Sequence, residues 1–157
     1  IPTLPHLVPY IEPLLKNTAI PVKLVTSIEE KWQAFMQSSV ALAASGTVSL
    51  ELAYAGVPQV IAYKVSKITY WLAKLLVKVK YASLVNILNQ EMVVPEYLQN
   101  QCTPENLVIQ LENILSNSSC QRQQRKDSLS AINQLKVDRN SSDIAADVVN
   151  ALLSRKT

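Results

Sequence analysis

The stretch that decides the fold is "AASGTVSLELAYAGVP", residues 43–58, which holds both glycines of the chain. The apolar run Val40–Ala44 ends at Ser45-Gly46, and helical spacing begins at Thr47. Gly56, with Pro58 two residues on, stops that helix with the usual C-terminal punctuation. An apolar run without polar interruption has the pattern of a strand buried on both faces of a parallel sheet. The corner between strand and helix also suits an anion. Gly46 lets backbone approach a ligand closely, and the free N–H groups and dipole of a helix start favour negative charge. The hydroxyls of Ser45 and Thr47 extend that donor set. Glu51 lies one residue beyond the capping-box position, which counted from Thr47 is Leu50. There it is either a solvated acid favoured by the helix dipole or an acceptor for the two hydroxyls of a ribose. The residues alone leave both readings open.

Outward from this corner, short apolar runs alternate with helical stretches. Val22–Val25 reads as a short strand, and Ser27 caps a helix over Glu29–Ser38 with Trp32, Phe35 and Met36 at helical spacing. Val60–Tyr63 is the next strand, followed by a helix from Ser66 to Val79 and an apolar piece, Tyr81–Leu84, that leads into a loop. Tyr63 and Tyr81 read as core or pocket-wall residues. Thr103 starts a helix with Pro104 at its first position. The polar segment Ser116–Arg125 precedes or opens a further helix carrying Leu129, Ile132 and Leu135. Ser142-Asp143 caps a last helix with Ile144, Val148, Val149, Leu152 and Leu153 on one side. This order predicts an α/β fold with a parallel sheet over residues 1–116, which the family resemblance given below makes Rossmann-like, with additional C-terminal helices over 117–157.

Composition narrows the function classes. With 48% hydrophobic and 17% charged residues among 157, the chain has the material for a buried core and is not a disordered segment. Cys102, Cys120 and the single histidine, His6, do not make a zinc ligand set, so no metal and no cofactor is expected, and both thiols read as free and reduced. No uninterrupted apolar stretch of roughly 18 residues exists, so no spanning helix is expected. The chain opens on Ile1-Pro2-Thr3 without a methionine and reads as cut from something longer.

From Leu52 to Gln90 there is no acidic residue but there are five lysines. On a helix at about 100° per residue, Lys67, Lys74 and Lys78 fall within roughly 40° of one another, bordered by Trp71. A basic stripe edged with an aromatic fits peripheral contact with an anionic membrane surface. Nucleic acid is not expected, because arginines and stacking aromatics are missing around the lysines.

"ASGTVSLELAYAGVP", followed by "VIAYKVSKITYWLAKLLVKVKYASLVNILNQEMVVPEYLQNQCTPENL", resembles the C-terminal half of the lipid-A-disaccharide synthase family, nearly unbroken from Ala44 to about Leu107. The resemblance implies a two-domain GT-B glycosyltransferase whose C-terminal domain binds the UDP part of a donor. It puts Ser45, Gly46 and Thr47 at the diphosphate and Glu51 at the ribose. Asn86, in "SLVNIL", would lie in the loop beside the donor, with Gln99, in "VVPEYLQ", as a further donor-side contact. It implies a UDP-2,3-diacylglucosamine donor, a lipid monosaccharide 1-phosphate acceptor and UDP as product. No catalytic residue is expected in this chain, the base being assigned to the N-terminal domain. The family's Gly-Ser-Arg loop and the first strand and helix of this half are absent, with Ile1-Pro2-Thr3 aligning with the end of the second strand. The helices beyond Asn117 would pack back on the N-terminal domain. The implied location is the cytoplasmic face of a membrane, peripherally, or an organelle interior for a eukaryotic parent, and a homodimer is left open. Two alternatives stand beside this reading: a non-catalytic nucleotide-binding or membrane-interaction module, and another GT-B enzyme using UDP-N-acetylglucosamine.

Overall fold

The computed structural model describes residues 1–66, 80–136 and 140–154. The lysine stripe of Lys67, Lys74 and Lys78, with Trp71, therefore lies outside the described residues.

Three parallel strands form the sheet: β1 (Ala41–Ala43), β2 (Gln59–Tyr63) and β3 (Glu96–Leu98), in the spatial order β1-β2-β3. Ala43 pairs with Ile61, and Ile61 with Glu96. Because every strand runs the same way, the carboxyl ends of all three gather at one edge of the sheet. Among the described residues the accompanying α-helices are α1 (Val8–Leu15), α2 (Ile28–Gln37), α3 (Thr47–Tyr54), α4 (Leu84–Asn89), α5 (Pro104–Ser116), α6 (Ser118–Gln134) and α7 (Ser141–Ser154). Most begin where a polar side chain can satisfy an orphan N–H group. Ser27 accepts from Glu30 N–H at the start of α2, Ser83 from Val85 N–H at α4, Thr103 from Asn106 N–H at α5, and Asn117 from Ser119 and Cys120 N–H at α6.

The core is built from Phe35, Ala43, Leu52, Ala53, Val57, Ile61, Val85, Val94, Ala131 and Ile132, so α2, α3, α4, α6 and the sheet share one apolar interior. Leu52 and Ile61 are essentially sealed from solvent, and full burial of such a side chain contributes about 1.5–3 kcal/mol. α6 packs against α3 and α4 and brings Ala131 and Ile132 into this core, so the boundary at residue 117 does not separate two hydrophobic interiors. Beyond it, α7 leaves Ile144, Val148, Val149, Leu152 and Leu153 exposed.

Several sequence expectations are corrected. Val40–Ala44 is not sealed on both faces: β1 is an edge strand whose Ala41 and Ala43 face the core, while Leu42, on the opposite face, is 51% exposed. Val22–Val25 is not a strand but a single parallel bridge between Pro2 and Val25, with Thr3 N–H donating to Val25 O at 2.9 Å and Val25 N–H to Ile1 O at 3.1 Å. Tyr81 is buried, but Tyr63 ends β2 pointing to solvent. The last helix starts at Ser141, one residue before Ser142, with the Asn140 side-chain oxygen accepting from Ser142 N–H. α4 and β3 were not anticipated.

Candidate functional site

α3 is terminated and initiated by the two glycines. At its end Gly56 takes φ +69, Gly56 N–H donates to Ala53 O at 3.1 Å and Val57 N–H to Leu52 O at 2.9 Å. These are the two bonds of a Schellman motif, and Val57 and Leu52 meet in the core as that motif favours. At its start Gly46 takes φ 130 and ψ −159, a backbone region reserved almost entirely for glycine. No side chain caps this helix. Its N-terminus follows the carboxyl end of β1, where Ser49 N–H donates to Gly46 O at 3.1 Å and Thr47 is exposed.

The neighbouring side chains organise this corner from within. Ser45 does not point its hydroxyl outward: Oγ donates to Ala82 O at 2.7 Å. Ala82 in turn belongs to a network centred on Glu96, whose carboxylate accepts from Ala82 N–H, Ser83 N–H and Asn86 Nδ2 at 2.8, 2.8 and 2.7 Å. Asn86 is completely buried, with Nδ2 also donating to Val94 O at 2.7 Å and Oδ1 accepting from Val94 N–H at 2.8 Å. Its amide is consumed inside the protein, where it holds α4 to the approach of β3. Glu96 is thus the residue that the sequence reading missed. It stands beside Pro95 in the quoted "VVPEYLQ", and only the fold shows that a strand residue caps a helix.

Gln99 also bonds internally. It has φ 50 just past β3, and its side-chain amide accepts from Val65 N–H at 2.8 Å and donates to Val65 O at 3.1 Å. It replaces a strand rung beyond the carboxyl end of β2. A second clamp of the same kind grips the other end of β2, where Gln124 of α6 accepts from Gln59 N–H at 2.6 Å and donates to Gln59 O at 3.1 Å. Thr47, by contrast, is exposed at the helix start.

Glu51 projects toward α2 and pairs with Lys31 at 2.9 Å, the two side chains being 35% and 25% exposed. Lys31 also lines a cleft of about 440 Å³ with Pro2, Thr3, Leu7, Thr26 and Ser27. Spacing gave no hint of this pair, because 20 residues separate its members. The structure therefore links Ser45 to Asn86 through Ala82 and Glu96, and Glu51 to the cleft through Lys31, while Gln99 sits at β3's end tied to Val65. Among the described residues no group of three or more His, Cys, Asp or Glu side chains could hold a metal, and no helix is long and apolar enough to cross a membrane.

A parallel sheet flanked by helices, with an uncapped, glycine-led helix start at its carboxyl edge, defines a Rossmann-like α/β protein. Comparison with known proteins is more specific. The family model described as lipid-A-disaccharide synthetase matches residues 3–149. Lipid-A-disaccharide synthase of Nitrobacter winogradskyi is 40% identical over 151 residues, covering 95% of this chain and 38% of that protein. The Rhodospirillum centenum synthase is 37% identical over 79% of the chain and 31% of its own length, and that of Actinobacillus pleuropneumoniae serotype 5b 41% identical over 76% and 32%. The chain belongs to the lipid-A-disaccharide synthetase family. It spans less than two fifths of the length of these relatives.

Proposed function

We propose that this chain is the donor-nucleotide-binding half of a glycosyltransferase that forms the lipid A disaccharide. The donor is a UDP-2,3-diacylglucosamine and the acceptor a lipid monosaccharide 1-phosphate. An acceptor hydroxyl oxygen attacks the anomeric carbon, the bond from that carbon to the diphosphate breaks, and its electron pair leaves with UDP. The hydroxyl proton passes to a general base outside this chain. The part of this half is to hold the diphosphate at Gly46-Thr47 and stabilise its growing charge with helix N–H groups and dipole. Glu51 accepts the ribose hydroxyls, and the cleft beside Lys31 takes the base.

The observation that carries this reading is the uncapped helix start behind Gly46, within a segment that matches the family throughout. The internal bonding of Ser45, Asn86 and Gln99 gives those three a supporting part, shaping the corner and its neighbouring loops instead of touching the donor. Peripheral contact with an anionic membrane through Lys67, Lys74 and Lys78, beside Trp71, completes the proposal and rests on sequence spacing. Titration calorimetry with UDP tests the nucleotide reading. Saturable binding is expected, weakened by Gly46→Ala, and a chain that gives no heat with UDP would sink the reading.

A further inference from the structure

Lys31, which flanks the cleft assigned to the base, joins two parts of the site. It sits one turn into α2, where its own N–H donates to Ser27 O at 3.0 Å. Its Nζ lies 5.7 Å from the Trp32 ring centroid and 5.9 Å from that of Phe35, so its ammonium sits against aromatic surface. The ammonium reaches across to α3 and holds Glu51 Oε1 at 2.9 Å, and the same side chain forms a wall of the 440 Å³ cleft. A pair this exposed contributes little to stability. Its effect on ligand recognition is larger, because a carboxylate free to turn does not present a fixed acceptor.

We propose that Lys31 is a positioning residue for nucleotide recognition: by holding Oε1 of Glu51 it fixes that carboxylate and leaves Oε2 free for a ribose hydroxyl. The inference rests on the donor-binding reading and on the ribose role of Glu51. Two ligands separate the layers: UDP, which has the ribose hydroxyls, and 2′,3′-dideoxy-UDP, which lacks them. Both are titrated calorimetrically into the 157-residue chain and its Lys31→Met, Glu51→Gln and doubly substituted variants. Methionine keeps an apolar side chain of similar length and removes the charge together with the hydrogen bond to Glu51.

Lys31→Met is expected to weaken UDP about fivefold, the order of one lost hydrogen bond to a charged group at a half-open site, and dideoxy-UDP less than about twofold. In the Glu51→Gln background Lys31→Met is expected to cost nothing further. Equal weakening of both nucleotides, or a full loss that persists in the Glu51→Gln background, overturns the role of Lys31. If the unsubstituted chain binds UDP and dideoxy-UDP alike, the ribose role of Glu51 fails first and takes this inference with it. No binding of either overturns the donor reading itself.

Discussion

Asn86 offers the sharpest test of how this site is built, because ligand contact and internal anchor predict different losses for the same substitution. Asn86→Ala deletes three hydrogen bonds: those to Val94 O and Glu96 Oε1 at 2.7 Å each, and that from Val94 N–H at 2.8 Å. Asn86 and Val94 are both fully sealed from solvent, so water cannot replace these partners without opening the loop. A neutral bond contributes about 1 kcal/mol net, one to a charged group about 1.5–3, and an orphaned buried partner adds its own desolvation cost. The expected loss is about 4 kcal/mol, a large share of the roughly 5–15 kcal/mol that holds a domain together. Thermal midpoints fall roughly 2–4 °C per kcal/mol in a chain of this size, so the transition should drop about 12 °C. Urea unfolding followed by circular dichroism measures the same loss at constant temperature. Asn86→Asp gives a second view, since it sets a carboxylate against Glu96 and its penalty should shrink as the solution is acidified and the pair gains a shared proton. A stability loss below about 1 kcal/mol together with abolished UDP binding would refute the anchor argument and restore Asn86 as a donor contact.

Two further outcomes follow from the local geometry. Gly46→Ala should destabilise by about 2 kcal/mol through backbone strain alone, since an added Cβ meets nothing within 4 Å; a thermal midpoint unchanged by this substitution would mean that the turn relaxes without cost. At the surface, the hydrogen bond and charge of Lys23, 3.3 Å away, hold the Glu30 carboxyl below its ordinary 4.5, helped by Thr26 backbone. A lowered folded value means that the contribution is present above the ordinary value and is lost as pH falls through the folded one. Lys23→Met should therefore move the Glu30 carboxyl titration upward in carbon-detected NMR, and an unmoved titration would show that the backbone alone sets it.

The strands β1 and β2 and the two helix ends around Gly46 and Gly56 were legible because their signals are local: apolar runs, cap residues and a helix stop. The Ser27, Thr103 and Pro104 helix starts were found for the same reason. α4 and β3, of six and three residues, have no period long enough to read, and they exist because Glu96 and Asn86 bind them to one another across the loop. Leu42 misled because an apolar residue in an edge strand looks the same in sequence as one in a central strand. The glycine-led turn into α3 was visible in Ser45-Gly46-Thr47, but the direction of a hydroxyl is not a sequence property, and Ser45 turns inward to Ala82. Resemblance identified Asn86 and Gln99, while the pairing of Lys31 with Glu51 joins two helices that only packing brings together.

The paired amide clamps on β2 act as a check on alignment. Val60-Ile61-Ala62 is an apolar run with little in its side chains to distinguish one pairing from the next, so a slip by one rung is the natural error for such a strand. Gln124 grips the backbone of Gln59 at one end, and Gln99 that of Val65 at the other. A shifted strand would offer both glutamines the wrong residue at once and leave four amide bonds unmade. Misalignment is thereby converted from a small packing error into a large polar one, and the Gly46 corner inherits its position from two side chains remote from it.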